Sequence, residues 1–152
     1  MTSQSKLATS PIRVLLVEDF EPFRRFLRST LQNTWACRNI LEASDGEGAI
    51  ALVEEFKMDL VLLDIGLPRL NGIDVARQIR QLAPQTKILF VSQESSTDVV
   101  GEALATGARG YVVKTDAGSE LVTAINAVLR GERFVSRGVA GLDFTQFSEN
   151  SS

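Results

Sequence analysis

The sequence contains no histidine, and Cys37 is its only cysteine. The absence of histidine excludes a serine–histidine–aspartate triad, metal binding through imidazole and any phosphohistidine carried by this chain. A single cysteine excludes an internal disulfide and a cysteine-based metal site, so we interpret Cys37 as a small buried hydrophobic residue. Candidate functional residues must therefore be sought among the other polar residue types.

Long apolar runs and a surplus of basic residues are also absent. No apolar run approaches the roughly 18 residues that a membrane span requires, and residues 1–11 lack the apolar segment of a signal peptide. We therefore expect a cytoplasmic protein without membrane contact. The net charge of −3 gives no general indication of nucleic-acid binding. The length of 152 residues and the 44% hydrophobic content predict one globular domain with a sizeable core.

Five short apolar runs alternate with five helical patterns along the chain. Runs of this length, bounded by polar or turn-forming residues, are typical of strands buried on both faces of a parallel sheet. The alternation predicts a parallel sheet that helices cover on both faces through right-handed crossovers. The predicted strands are residues 12–17, 39–43, 60–64, 87–92 and 109–114, and the last two predicted helices are residues 95–106 and 117–130. The predicted caps of the second, third and fourth helices lie in the stretch Ser44–Gly46, at Asn71, and at either Ser95 or Ser96.

Polar side chains close four of the five predicted strands. Glu18 and Asp19 follow the first strand, and Asp64 ends the third. Ser92 ends the fourth strand, and Lys114 ends the fifth. Because the carboxyl ends of parallel strands gather at one edge, where open α/β sheets bind their ligands, we expect these side chains to form one site.

The predicted site combines acidic residues with one lysine and one hydroxyl. Three carboxylates at one edge repel each other and require a positive partner. Oxygen ligands favour a hard divalent cation, and few carboxylates together with phosphate oxygens favour Mg²⁺, for which Mn²⁺ could substitute. Lys114 suits a phosphate or carboxylate oxygen, and Ser92 can donate a hydrogen bond to a phosphate oxygen. These parts predict nucleophilic attack by Asp64 on phosphorus, which gives an aspartyl phosphate.

With these residues the chain resembles, over about residues 11–135, the receiver domain of a two-component response regulator. The resemblance implies a flavodoxin-like (βα)5 three-layer sandwich, with a parallel five-stranded sheet in the order 2-1-3-4-5. It implies Mg²⁺-dependent phosphoryl transfer from a partner histidine kinase or phosphotransfer protein, which switches a protein-interaction face. The implied residues are Asp64 as phosphoacceptor, Glu18, Asp19, Asp64 and the backbone carbonyl of Gly66 as metal ligands, Lys114 and Ser92 as phosphoryl contacts, and Ser92 and Tyr111 as switch positions.

Residues 107–114, followed by residues 121–133, are most similar to receivers of the LuxR-type transcription regulators. Thr115 follows Lys114 where many receivers have proline, a difference that is common in the LuxR-type group. Gln93 follows Ser92 where a small residue is usual, and its bulk is predicted to narrow access to the phosphoryl group. Gly66 has no side chain beside the phosphoryl group, so water can attack the group from that side. Glu94 is a further modulating position, because its side chain is expected to obstruct this water in part.

The predicted domain boundaries leave a short segment at each end. We predict a flexible tail in residues 1–11, the receiver domain in residues 12–135, and a flexible tail or the start of a linker in residues 136–152. A LuxR-type regulator continues into a DNA-binding domain, whereas only about 17 residues follow Val135 here. We therefore expect no direct DNA binding by these residues, and either a stand-alone receiver or one excised from a longer regulator. A homodimer through the last helix or the fourth-helix face stays open.

Other functions also stay open from the sequence alone. An unphosphorylated docking module would keep the fold without the chemistry. A Mg²⁺-dependent phosphohydrolase would need a second aspartate two residues after the nucleophile, where this chain has Gly66. A flavin or nucleotide binder would need a glycine-rich phosphate loop after the first strand, where this chain has acidic residues. We predict a self-phosphorylating and self-dephosphorylating switch rather than an enzyme on external substrates.

Overall fold

A computed structural model describes residues 12–35, 37 and 39–139 of the chain. The predicted tail 1–11 and residues 140–152 of the second predicted tail lie outside the described residues. The strands are β1 (Arg13–Val17), β2 (Asn39–Ala43), β3 (Leu60–Leu63), β4 (Lys87–Ser92), β5 (Gly110–Val113) and β6 (Phe134–Val135). The helices are α1 (Glu21–Trp35), α2 (Gly46–Glu55), α3 (Gly72–Leu82), α4 (Thr97–Ala105) and α5 (Ala117–Leu129), and the 3₁₀ turn Lys114–Asp116 joins β5 to α5.

The strands form one parallel sheet in the order β2-β1-β3-β4-β5-β6. This order confirms the predicted arrangement 2-1-3-4-5 of a flavodoxin-like fold. The structure adds a sixth strand, in which Phe134 pairs with Gly110 and Val135 pairs with Tyr111. The sequence did not predict β6 as a strand because two residues are too few to show the period-two pattern of a strand.

Successive strand residues point to opposite faces of the sheet and build two apolar cores. The four side chains of β3 illustrate this, since all are fully buried. Val61 and Leu63 pack on the face covered by α2, α3 and α4, whereas Leu60 and Leu62 pack on the face covered by α1 and α5. The molecule is therefore a three-layer sandwich, as predicted. Helices cover both faces of the sheet, and the polar residues lie at the carboxyl ends of its strands.

Three helices, α2, α3 and α4, begin at or within the predicted capping stretches. Asn71 Oδ1 accepts hydrogen bonds from the backbone N–H groups of residues 73 and 74, at 2.9 and 3.1 Å. Asp45 Oδ1 accepts one from Gly48 N–H at 2.7 Å, and Ser96, rather than Ser95, caps α4. Such side-chain acceptors satisfy backbone donors that have no partner inside the helix. No helix within residues 12–35 or 39–139 has both the length and the apolar character that crossing a membrane requires.

The residues that follow β6 pack back onto the domain. Ser136 is buried, and its backbone N–H donates to the carbonyl of Tyr111 at 2.9 Å. Its hydroxyl contacts carboxylate oxygens of both Asp116 and Glu120 at the start of α5. Val139 is buried in the core that also contains Tyr111. The described part of the chain after residue 135 is therefore held by hydrogen bonds and apolar packing along the edge of β5.

Candidate functional site

The carboxyl ends of β1, β3, β4 and β5 surround a cavity of about 350 Å³. The parallel order of the sheet places these ends side by side, so residues far apart in sequence become neighbours there. The structure thus brings together the side chains that close the predicted strands, with Glu18 next to the lining residues Asp19, Asp64 and Lys114. The lining residues are Asp19, Phe20, Asp64, Ile65, Gly66, Ser92, Gln93, Glu94 and Lys114.

Three carboxylates form an acidic cluster at this edge. One carboxylate oxygen from each of Glu18, Asp19 and Asp64 lies within 4.8 Å of the other two. Glu18 and Asp64 are only 1% and 6% exposed, whereas Asp19 faces solvent. Two nearly buried negative charges and a third at the rim create a strongly negative site, because repulsion between like charges is poorly screened away from water.

Glu18 is fixed through its backbone as well as its side chain. Its N–H donates to the carbonyl of Ala43 at 3.1 Å, and its carbonyl accepts from Arg24 Nη1 at 2.8 Å. The side-chain Oε2 accepts from the backbone N–H of Phe20 at 3.0 Å. Arg24 also pairs with Glu42 on β2, at 2.8 Å between Nε and Oε1. These contacts attach the start of α1 to β1 and β2, and they hold the acidic cluster in place.

Lys114 is the cation that reaches the cluster. Its Nζ lies 2.9 Å from Glu18 Oε1 and 3.5 Å from Asp64 Oδ2, and its side chain is 13% exposed. The contact with Glu18 is an ion pair without hydrogen-bond alignment, because Oε1 has no hydrogen-bond partner within the described residues. A buried carboxylate oxygen without a hydrogen-bond partner is the kind of group that a bound cation satisfies.

Burial raises the pKa of Glu18 above its ordinary value of 4.5, because a charged carboxylate loses its hydration there. The neighbouring charge of Asp64 raises this pKa further. Lys114 and the backbone N–H of Phe20 lower it and offset part of the effect. The negative charge of Glu18 is therefore unfavourable in the folded protein unless further positive charge reaches the cluster.

Glu18→Gln is expected to stabilise the protein at neutral pH when divalent cations are removed with a chelator. Because the folded-state pKa of Glu18 is raised, folding stability falls as the pH rises from 4.5 through that folded-state pKa. The glutamine in the variant does not titrate, so the variant does not lose this stability. The variant therefore becomes more stable than the wild type as the pH rises through the same range. Chemical denaturation below and above the window measures the difference. A difference of equal size at both pH values would contradict the role of the Glu18 charge.

Asp64 directly follows β3 and is held by a tightly folded loop. Its N–H donates to the carbonyl of Val17 at 3.0 Å, which continues the pairing of β3 with β1. The next carbonyl, of Ile65, accepts from Gly72 N–H at 2.8 Å, so the start of α3 is attached to the same loop. A Cβ added at Gly66 would lie 4.0 Å from Asp64 Oδ2. The carboxylate therefore points to the cavity beside a residue that has no side chain.

Ser92 and Tyr111 meet behind the cavity. Ser92 is buried, and its Oγ accepts from the backbone N–H of Glu94 at 3.4 Å. Tyr111 is fully buried, with its hydroxyl donating to the carbonyl of Glu94 at 2.8 Å and its ring centroid 5.9 Å from that of Phe90. Burial raises the pKa of the Tyr111 phenol, and a hydrogen bond with Ser92 offsets part of this. The side chains of Gln93 and Glu94 are exposed at the cavity rim.

Two aromatic residues at the site were not identified from the sequence. Phe20 lines the cavity and is 61% exposed, and the ring of Phe23 lies 4.6 Å from Lys114 Nζ. The helical spacing of Phe23 indicated only a core-facing position on α1. The sequence feature that could have indicated its role is its position four residues after Asp19, which is about one helical turn from the acidic pair.

A larger cavity, of about 480 Å³, lies at the opposite edge of the sheet. Its wall includes Ile12, Met58 and Leu129 near the amino-terminal ends of the strands. The acidic cluster and Lys114 lie at the smaller cavity, at the edge where α/β sheets carry their ligands. We therefore assign the functional site to the smaller cavity, since chemistry depends on the groups present more than on volume.

Comparison with known proteins places the chain in a family. The family model of the response regulator receiver domain matches residues 14–126. The transcriptional regulatory protein DegU of Brevibacillus brevis is 30% identical over 124 residues, which cover 82% of this chain and 52% of DegU. The response regulator UvrY of Escherichia coli K12 is 31% identical over 129 residues, which cover 85% of this chain and 59% of UvrY. The chain thus spans just over half the length of these curated relatives.

A solved structure supports the same assignment. The crystal structure of a LuxR-family two-component response regulator from Aurantimonas sp. SI85-9A1 superimposes with a TM-score of 0.78 at 31% identity. The match covers 92% of this chain and 97% of that one. Response regulators are signalling proteins of two-component systems, and the acidic cavity fits the phosphoacceptor site of their receivers. The chain belongs to the response regulator receiver domain family, and its relatives include LuxR-family response regulators.

Proposed function

We propose that Asp64 accepts a phosphoryl group from a phosphohistidine of a partner histidine kinase or phosphotransfer protein. The observation that carries this proposal is the position of Asp64, whose carboxylate faces the cavity with Lys114 Nζ 3.5 Å from its Oδ2. Two further carboxylates lie within 4.8 Å of it, so a cation is needed before an anionic phosphoryl donor can approach. The family assignment supports the same chemistry.

The acidic cluster fits a hard divalent cation, Mg²⁺ or, in its place, Mn²⁺. The donors are all oxygen atoms, and one of them, Glu18 Oε1, is buried without a hydrogen-bond partner within the described residues. Glu18, Asp19, Asp64 and the backbone carbonyl of Gly66 are the groups that would hold the ion. When bound, the ion neutralises the carboxylates and the negative charge of the incoming phosphoryl group.

The residues of the chain then have separate roles in the transfer. A carboxylate oxygen of Asp64 attacks phosphorus, the phosphorus–nitrogen bond of the donor breaks, and its electron pair stays on the leaving imidazole. Lys114 and Ser92 bind the transferred phosphoryl oxygens through charge and a hydrogen bond. Hydrolysis of the acyl phosphate by water restores Asp64. Gln93 and Glu94 stand at the rim where this water enters, which suits the modulating role that we assign to them.

The chain acts on its own aspartate and not on external substrates. The relatives named above are transcriptional and response regulators, and we infer that control of transcription is the output of the whole protein. Residues 12–139 would transmit the signal by protein contacts, including a possible homodimer, without binding DNA themselves.

We test this proposal by intact mass after incubation with Mg²⁺ and acetyl phosphate. The expected result is one added phosphoryl group per chain, which disappears when a chelator replaces Mg²⁺. Peptide mapping is expected to place the group on Asp64. A wild-type protein that takes no phosphoryl group under rapid sampling would reject the proposal and favour an unphosphorylated docking module.

Tyr111→Phe is expected to leave phosphoryl labelling of Asp64 unchanged. It is expected to weaken the conformational change of α4 and β5 that follows phosphorylation. The substitution keeps the buried ring and removes the hydrogen bond to the Glu94 carbonyl, which is worth about 1 kcal/mol, or roughly a fivefold change in a conformational equilibrium. Amide chemical shifts in α4, recorded before and after beryllofluoride addition with Mg²⁺, measure the response. Equal shift changes in the variant and the wild type would show that Tyr111 does not carry the switch.

A further inference from the structure

The ammonium group of Lys114 touches an aromatic ring as well as two carboxylates. Its Nζ lies 4.6 Å from the centroid of the Phe23 ring, 2.9 Å from Glu18 Oε1 and 3.5 Å from Asp64 Oδ2. A cation at this distance over a ring face is attracted by the negative face of the π system. Lys114 therefore has one contact partner that is neither acidic nor a candidate metal ligand.

Phe23 is itself held firmly enough to place a charge. It lies in the first turn of α1, and its backbone N–H donates to the carbonyl of Phe20 at 3.1 Å. Its ring packs against Phe26, with the centroids 5.4 Å apart, and against the core on the α1 and α5 face of the sheet. Because Arg24 attaches the same helical turn to the Glu18 carbonyl, the ring keeps a fixed position relative to the acidic cluster.

The ring contact matters most when a divalent cation occupies the cluster. Glu18 and Asp64 would then be neutralised as partners of Lys114, and its ammonium group would be repelled by the bound ion. A lysine side chain has a flexible four-carbon stem, so it would swing into solvent without another partner. The ring has no net charge for the cation to neutralise, and its attraction for the ammonium group persists.

We propose that Phe23 is a positioning residue for phosphoryl transfer, whose ring holds the Lys114 ammonium group where phosphoryl oxygens reach Asp64. This inference rests on the proposed function and adds to it a residue on α1 that does not itself touch the phosphoryl group. It also gives α1 a direct role in the chemistry beyond its packing on the sheet.

Three variants test the role of the ring. Phe23→Leu keeps an apolar side chain but removes the π face, and Phe23→Tyr keeps both. Phe56→Leu is a matched control, because it removes a ring that contacts Arg13 at the start of β1, at the opposite edge of the sheet. At saturating Mg²⁺ we expect labelling by acetyl phosphate to slow about 3- to 10-fold in Phe23→Leu, the range that a cation–π contact supports. Phe23→Tyr and Phe56→Leu are expected to label at the wild-type rate.

Binding of Mg²⁺ separates positioning from a general structural defect. Phe23→Leu is expected to bind Mg²⁺ as tightly as the wild type in a calorimetric titration, because the carboxylates are unchanged. Slow labelling together with weak Mg²⁺ binding would show a distorted acidic cluster and would overturn the inference. Labelling of Phe23→Leu at the wild-type rate, or equal slowing in Phe56→Leu, would overturn it as well.

A second measurement distinguishes failure of this inference from failure of the proposed function. The ε-methylene protons of Lys114 are expected to show an upfield ring-current shift in the wild type and in Phe23→Tyr, and to lose it in Phe23→Leu. This spectrum needs no phosphoryl donor. Absence of the shift in the wild type overturns the role of Phe23 alone, whereas absence of labelling in a wild type that shows the shift overturns the proposed function.

Discussion

Asp64→Asn is expected to abolish phosphoryl labelling of the protein completely. The amide keeps the shape of the side chain but lacks the negative charge and nucleophilicity that attack on phosphorus requires. Intact mass after incubation with Mg²⁺ and acetyl phosphate measures the effect, with the wild type labelled in parallel. The effect is expected to be all or none, because the proposed transfer uses Asp64 as its single nucleophile.

The specificity of this loss is tested with Asp74→Asn. Asp74 lies on α3, is half exposed and pairs with Arg77 at 2.9 Å, well outside the lining of the acidic cavity. Its variant changes the net charge by the same amount and is expected to label at the wild-type rate. A phosphoryl adduct on Asp64→Asn would place the phosphoacceptor elsewhere, and loss of labelling in both variants would point to a general effect of charge.

The sequence supported the prediction of the site because strand ends are easy to recognise in this fold. Four of the strands are apolar runs that stop abruptly at a polar residue, as at Asp64 and Lys114. In a parallel sheet such residues lie at one edge whatever the details of packing. The cap Asn71 and the capping stretch Ser44–Gly46 were predictable for a similar reason, since capping depends on local hydrogen bonds within a few residues.

Features that depend on packing between distant elements were not predictable in this way. The contact of Phe23 with Lys114 joins α1 to the turn after β5, and neither residue type nor spacing specifies that approach. The hydrogen bond from Arg24 to the Glu18 carbonyl likewise depends on how α1 lies on β1. β6 consists of Phe134 and Val135 only, and its formation depends on the free edge of β5 that it joins. The pattern of residues within a short stretch of sequence does not determine these contacts between distant elements.

Gly72→Ala is expected to destabilise the protein by about 3 kcal/mol or more. The added methyl group would clash with backbone atoms, which cannot move away without disturbing the structure around them. A Cβ at this position would lie 2.0 Å from the carbonyl oxygen of Asp64 and 2.8 Å from Ile65 Cα. Backbone atoms in the β3–α3 loop would have to move to admit the methyl group. Denaturant unfolding of the variant and the wild type in a chelating buffer measures the cost.

The control for helix propensity is Gly118→Ala in the first turn of α5. A Cβ there would meet no atom within 4 Å, so this variant is expected to gain about 0.4 to 1 kcal/mol from the reduced freedom of the unfolded chain. The same chemical change thus has opposite signs at the two positions. If Gly72→Ala were as stable as Gly118→Ala, the close approach of α3 to the Asp64 backbone would be disproved.

The same variant connects the packing of α3 to the chemistry of Asp64. We expect relief of the clash at Gly72 to displace the Asp64 carbonyl, and the Asp64 side chain to move with the backbone. A misplacement of about 1 Å at a reacting group can cost roughly 100-fold in rate. We therefore expect Gly72→Ala, studied below its melting temperature, to label far more slowly than Gly118→Ala at equal Mg²⁺. Normal labelling despite the loss of stability would show that the displacement falls on α3, and that Asp64 keeps its place through its pairing with β1.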